Sequence, residues 1–281
     1  MEIGYSFQIP DNSGMSVRYY LQNKSQMDEA RSFPPHVHDR YEFYVLIEGD
    51  ASFMVENRLY TLRPGDVVFS RPNEIHNCVL NSDSVHKHFC IWFDADQGSL
   101  LSGSLFGEGD YVSHISPSAE NRERLCRICE ELDLAGETGR TLRQFYLSLE
   151  FLDLLRENRS VESARVELPS QLTEILDDIN RNFAGIKDLC YFTERYYVSP
   201  STLNRMFRRY LKTSPAHYLE TKRLAFARTL LRQGKSVSEA GARAGFSNGS
   251  NFIRLFKKRF HMTPAEYKSG KEVKDTDAVI H

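Results

Sequence analysis

One segment of this chain is written twice. VSPSTLNRMFRRYLKTSPAHY runs from Val198 to Tyr218, and FSNGSNFIRLFKKRFHMTPAEY from Phe246 to Tyr267. At an offset of 49 positions Leu203 falls on Phe252, Arg205 on Arg254, Met206 on Leu255 and Phe207 on Phe256. Arg208-Arg209 fall on Lys257-Lys258, and Pro215-Ala216 on Pro264-Ala265. In each copy apolar residues recur at helical spacing: Leu203, Met206, Phe207 and Tyr210 in the first, Phe252, Leu255, Phe256 and Phe260 in the second. Ser199 before Pro200, and Asn248 in the matching place, supply the side-chain caps that start a helix. The opposite faces keep Ser201, Asn204, Arg205 and Arg208, and Ser250, Arg254 and Lys257, a chemistry suited to bases and phosphates.

A shorter helix precedes each copy. Asp188 is placed to cap LCYFTER, and Ser236 to cap VSEAGARA, which stops at the turn glycine Gly245. Short helix, tight turn and polar-faced helix make a helix-turn-helix unit, whose second member enters the major groove of duplex DNA. Small residues are expected where the paired helices cross. Gly241 and Ala244 serve in the second unit, while the first has the bulkier Thr193. Between the units Ala216 to Gln233 reads as one helix of roughly 25 Å, enough to set two reading heads about one DNA turn apart, on the order of 34 Å.

Charge divides the chain in the same way. The formal net charge is −2. Met1 to Pro169 nevertheless carries 16 Lys+Arg against 27 Asp+Glu, whereas Ser170 to Lys271 carries 19 against 8. Such a basic segment fits a polyanion partner, which the acidic part cannot share. The polar stretch Asn158 to Ser170 is the expected boundary. Five scattered cysteines suit reduced thiols. With no apolar run of membrane-spanning length and no signal-peptide pattern at the N-terminus, a cytoplasmic location is expected and a membrane partner is not.

From Arg40 to Glu74 the acidic half reads as short strands, YEFYVLI, ASFMVE, LYTL and VVFS, separated by Gly, Pro, Asn and Asp turns. Regular spacing of this kind indicates a small β-barrel or sandwich. His36 and His38 lie two apart and face one side of an extended strand, Glu42 shares that side, and His76 follows the Pro-Gly turn. Aromatic residues there, Phe43, Tyr44, Phe69, Phe89 and Trp92, are either plain core or the lining of a small-molecule pocket. Two helical segments follow. Glu120 to Leu134 carries the stripe Leu125, Ile128, Leu132, and Arg140 to Glu157 carries Leu142, Phe145, Leu149, Leu152, Leu155. An antiparallel pair is expected, packing on the barrel or on a second subunit. Cys126 and Cys129 within it are explained by core packing.

Two resemblances follow from these motifs. His36, His38, Glu42 and Gly49 fit the first cupin motif, and Gly65, Pro72 and His76 resemble the second, with Glu74 where a glycine is usual. In metal-binding cupins the three His and the Glu hold iron, manganese or zinc, so the resemblance implies a divalent metal at His36, His38, Glu42 and His76, or polar contacts from these residues to an organic ligand. Leu172 to Tyr267 is similar to the AraC/XylS family of transcription regulators through Gly245-Phe246, Phe252, Arg254, Phe256-Lys257-Lys258 and Thr263-Pro264-Ala265-Glu266-Tyr267. Ala240-Gly241 and Thr193 depart from that pattern.

The family resemblance implies base-reading positions at Ser201, Asn204 and Arg205, and at Gly249, Ser250, Ile253 and Arg254. Arginine pairs with guanine and asparagine with adenine, which agrees with these assignments. Arg208, Arg209, Lys257 and Lys258 are expected on phosphates. The expected architecture has separate β and α domains: a cupin-like effector-binding barrel over 1–115, a helical pair for dimerisation over 116–158, a linker over 159–170, a DNA-binding domain with two helix-turn-helix units over 171–268, and a mobile tail over 269–281. The expected function is a non-enzymatic, sequence-specific regulator, by family habit an activator. It would be a homodimer working with promoter DNA, RNA polymerase and a small effector such as a sugar or related metabolite bound by His36, His38, Glu42, His76, Phe43 and Trp92. The alternative is a metal-dependent cupin enzyme carrying a DNA-binding tail.

Overall fold

The computed structural model describes residues 4–8, 16–24, 35–38, 40–93, 113–158 and 165–269; the tail beyond 269 and linker residues 159–164 lie outside them. The described strands are β1 (Tyr5–Gln8), β2 (Ser16–Lys24), β3 (Tyr41–Glu48), β4 (Ala51–Val55), β5 (Arg58–Leu62), β6 (Val67–Ser70), β7 (His76–Leu80), β8 (His86–Phe93), β9 (His114–Ile115) and β10 (Arg165–Val166). They form two antiparallel sheets, ordered β1-β2-β8-β3-β6-β9 and β10-β5-β4-β7. Among the described residues these sheets pack as a sandwich and do not close into one hydrogen-bonded barrel.

Strand alternation sorts the side chains into three apolar layers. On the larger sheet Phe43, Val45, Phe69 and Ile91 face outward, under the hairpin of α1 (Ala119–Glu137) and α2 (Thr141–Glu157), where Leu125, Ile128, Leu132 and Phe151 meet them. Tyr44, Leu46, Val68 and Cys90 face inward against Phe53, Val55, Tyr60, Leu62 and Cys78 of the smaller sheet. Met54 and Leu59, on the far side of the smaller sheet, join the core of the C-terminal half. Each such buried side chain contributes about 1.5–3 kcal/mol.

Two expectations change here. In α2 Leu152 and Leu155 are buried, but Leu142 is 82 % exposed and Leu149 42 %. The buried face runs instead through Gln144, Leu147, Ser148, Phe151 and Leu154. Two of these positions are polar, which disguises the face in an apolar pattern; Gln144 Nε2 donates to Ala135 O at 3.3 Å. The expected linker also contributes structure. Arg165 and Val166 pair with Tyr60 and Leu59, extending the edge at β5.

The C-terminal half comprises α3 (Ser170–Asn182), α4 (Cys190–Tyr196), α5 (Pro200–Met206) with a π-helical turn Phe207–Leu211, α6 (Pro215–Arg232), α7 (Val237–Arg243), α8 (Gly249–Phe260) and α9 (Pro264–Lys268). The repeat persists in three dimensions. Lys212 and His261, again 49 apart, end the two copies with φ of 54° and 56°. The ring pairs Phe207–Tyr218 and Phe256–Tyr267 are both edge-on at 5.8 Å. The copies differ in that α8 stays regular for 12 residues, whereas the first copy widens into the π turn. Ser214 caps α6 ahead of Pro215, and Thr263 caps α9 in a capping box with Glu266.

Candidate functional site

The local chemistry of the two polar-faced helices follows the sequence closely. Ser199 Oγ accepts from Thr202 N at 3.1 Å, and Asn248 Oδ1 from Asn251 N at 2.9 Å. Ser236 caps α7 through Glu239 N at 3.1 Å. Asp188 Oδ1 accepts from Cys190 N at 2.9 Å, although Leu189 holds the capping position of α4. Gly241 sits where α7 meets α8: a Cβ there would stand 2.8 Å from Phe252 Cδ1. Gly245 adopts φ +88°, which turns the chain between the two helices.

Ser201, Asn204, Arg205, Arg208 and Arg209 are exposed, as are Gly249, Ser250, Ile253, Arg254, Lys257 and Lys258. Their helical partners Leu203, Phe207, Phe252 and Phe256 are buried. Arg254 Nη2 donates to Asn251 Oδ1 at 2.8 Å, which orients the guanidinium along the exposed face. The 18 residues of α6 span roughly 27 Å. Two capped, cation-bearing helices joined by such a rod have the chemistry to grip a duplex.

The second cluster lies at one end of the sandwich. His36 pairs with His76 through two backbone hydrogen bonds of 3.0 and 3.1 Å, which brings its segment beside β7. β3 supplies Glu42 and β8 supplies Trp92, directly opposite each other in register. Trp92 Nε1 donates to Glu42 Oε2 at 2.5 Å, and His38 Nε2 lies 2.8 Å from the same oxygen. One ligand atom from each of His36, His38, Glu42 and His76 lies within 4.8 Å of the others. Phe43 does not belong to this group. Strand alternation turns it to the opposite face, where it stacks on Phe69 and meets Phe151 edge-on.

The electrostatics of the cluster are those of a buried carboxylate among imidazoles. Burial alone would raise the Glu42 pKa, but His76 and His38 hold it well below the usual carboxylate range. Burial pushes His36 well down and lowers His38, keeping both neutral. For His76 the same penalty is outweighed by Glu42, and its pKa rises. His76 Nδ1 lies 2.9 Å from Glu74 O, and His38 Nδ1 lies 3.0 Å from Arg40 O. Each carbonyl fixes a ring and leaves Nε2 aimed inward, the outer-shell arrangement of imidazole ligands. Among the described residues His76 Nε2 is buried without a hydrogen-bond partner and lies 3.7 Å from Glu42 Oε2. Three nitrogens and one carboxylate suit zinc, iron or manganese, so this donor set fits a divalent ion.

Beside this cluster the sequence reading named Tyr44 but neither its polar partners His86 and Cys78 nor the pair Tyr20 and His88. Tyr44 OH lies 2.9 Å from His86 Nε2 and 3.3 Å from Cys78 Sγ, and Tyr20 OH lies 3.3 Å from His88 Nε2. The alternation His86-x-His88 on β8 carried that signal. The seam between the halves was also missed. Lys222 Nζ pairs with Glu56 Oε2 at 2.6 Å, Tyr218 OH donates to Glu56 O at 3.3 Å, and Asn57 Nδ2 donates to Asp177. A lone arginine, Arg228, on the apolar face of α6 was its sequence signal.

Comparison with known proteins bears on both clusters. Residues 23–172 match the model of the AraC-like ligand binding domain, and residues 192–270 match a helix-turn-helix domain. The HTH-type transcriptional activator RhaS of Salmonella schwarzengrund is 25% identical over 252 residues, covering 86% of this chain and 89% of that protein. RhaS of Citrobacter koseri is 25% identical over 253 residues with the same coverage. Among solved structures, ToxT from Vibrio cholerae O395 aligns over 90% of this chain and 97% of its own at 12% identity and a TM-score of 0.37. The matched families are those of regulators, which sets aside the enzyme alternative. An exposed basic face on two helix-turn-helix units, joined to a ligand-binding β domain whose model match spans more than half the sequence, makes this chain a member of the AraC family of transcription regulators.

Proposed function

We propose that this protein is a cytoplasmic, effector-controlled transcription activator whose two basic helices enter successive major grooves of one promoter. Ser201, Asn204, Arg205, Gly249, Ser250, Ile253 and Arg254 meet base edges, while Arg208, Arg209, Lys257 and Lys258 hold phosphates. The observation that carries this reading is the exposure of all these residues on two capped helices and on the π turn that continues the first, with the apolar sides buried. Activation is supported by relatives that are themselves transcriptional activators, and contact with RNA polymerase is its proposed route. Arg254→Ala should cost about 1–3 kcal/mol and relax preference at one base pair. Lys257→Ala should weaken all sequences alike and reduce the salt slope. Identical behaviour of the two variants in binding assays across salt and sequence would refute the division of roles.

The effector, a small polar molecule such as a sugar or related metabolite, is read by the inner polar face, with His36, His38, Glu42, His76 and Trp92 as its anchor. Glu42→Gln should abolish the effector response and leave DNA binding intact. A second reading is favoured by the clustering of four ligand atoms within 4.8 Å and by His76 Nε2, buried 3.7 Å from Glu42 Oε2 with no hydrogen bond: His36, His38, Glu42 and His76 hold a divalent transition metal. A homodimer forms through the exposed face of α2, where Leu142, Tyr146 and Leu149 recur at helical spacing.

A further inference from the structure

Two segments next to the four-donor cluster, the one before His36 and the turn before His76, are held by the DNA-binding half. Arg259, in the last turn of α8, donates from Nη2 to Pro35 O at 3.4 Å, one residue before His36. Arg228 of α6 donates from Nη2 to Asn73 Oδ1 at 3.0 Å, three residues before His76. Arg228 is only 3 % exposed, its guanidinium lies 4.9 Å from the Phe260 centroid, and its Nε has no partner. No carboxylate pairs with it among the described residues. Burying a guanidinium without a counter-ion is costly, and the electrostatics of what lies beyond Asn73 therefore weigh on whether the seam stays closed.

Those electrostatics change when the cluster is loaded. Glu42 is the one carboxylate among its donors, and a divalent ion would bring two positive charges to a cluster whose flanking residues Pro35 and Asn73 already bond two guanidinium groups. We propose that a divalent transition-metal ion at His36, His38, Glu42 and His76 and the closed seam oppose each other, with Arg259 and Arg228 as the groups that couple them. Loading the cluster loosens the grip on α6 and the end of α8, and by linkage the closed seam weakens the hold on the ion by the same factor. This rests on the metal reading of the cluster.

Cobalt(II) titration of the full chain tests it. Trp92 is the only tryptophan in the chain and touches Glu42, so its quenching reports loading. Removal of one guanidinium, in Arg259→Gln or Arg228→Met, should tighten cobalt binding about five- to tenfold, within the usual range of coupling. Arg259→Lys, which keeps the charge, should bind like the parent protein. Hydrogen exchange at Glu56, Asn57 and α6 should rise on loading. Equal cobalt affinity in all variants, with binding still lost in Glu42→Gln, would overturn the coupling and leave the cluster standing as a metal site. An Arg259→Lys variant that behaves like Arg259→Gln would overturn the role of charge. Quenching that persists in Glu42→Gln, or is absent from the parent protein, would remove the metal reading itself and the coupling with it.

Discussion

The turn at Gly245 allows a quantitative test of how tightly the second helix-turn-helix unit is built. Gly245 has φ +88°, and a Cβ there would stand 2.5 Å from Ala184 O, 2.8 Å from Ala184 Cα and 3.0 Å from Ala184 C. The left-handed backbone alone costs a residue with a Cβ about 1–2 kcal/mol. The new carbon would also fall roughly 1 Å short of ordinary van der Waals separation from a backbone that cannot rotate away, and forced overpacking costs about 1–3 kcal/mol more. Gly245→Ala should therefore destabilise the C-terminal half by about 2–5 kcal/mol. Gly234 is the control: its φ is +85°, yet nothing lies within 4 Å of its Cβ position. Gly234→Ala should lose only the backbone part, about 1 kcal/mol. Urea denaturation followed by far-ultraviolet circular dichroism measures both. Losses that agree to within about 0.5 kcal/mol would mean that the approach of Ala184 contributes nothing.

Further outcomes follow from other parts of the molecule. Replacing Leu142 and Leu149 together by Glu should convert a dimer to a monomer in analytical ultracentrifugation, and an unchanged mass would exclude this face. Thr263→Ala removes the capping box of α9 and should lower stability by about 1 kcal/mol, read as a shift of the urea midpoint. Asp178 gives a pH dependence. Burial would raise its pKa, but hydrogen bonds from Asn182, Tyr191 and Tyr196 lower it below the ordinary value of 3.8. A depressed carboxyl stabilises the fold above pH 3.8 and loses that contribution as pH falls through the folded value. Asp178→Asn should thus be less stable at neutral pH and converge on the parent protein in acid; a constant difference across the titration would refute it.

The seam also bears on how the two halves communicate. Glu56, at φ 54° in the turn before β5, accepts from both Tyr218 and Lys222 of α6. A connecting helix held in this way cannot shift without breaking a partly buried ion pair. The exposed residues of α5 and α8 proposed to contact DNA take no part in these seam bonds, so closure of the seam leaves them open.

What the residues determined on their own is local and repetitive. Caps at Ser199, Ser236 and Asn248, the turn at Gly245 and the apolar stripe of α8 were legible because each acts through neighbours three or four positions away. The strands from β3 to β6 were legible for the same reason, through alternation and turn residues. Tertiary structure decided the remainder. Phe43 and Tyr44 are equally aromatic, and only the packing of the larger sheet puts the first in the core beneath the helices and the second in the core between the sheets. The buried face of α2 includes Gln144 and Ser148, whose burial depends on a carbonyl of α1 and on the fit between helices rather than on their own hydropathy. Arg228 and Arg259 acquire meaning only where α6 and α8 meet loops near residues 35 and 73, more than 150 positions away. Short-range spacing fixes a helix and its cap; which of its faces meets which distant partner is set by packing that no local pattern encodes.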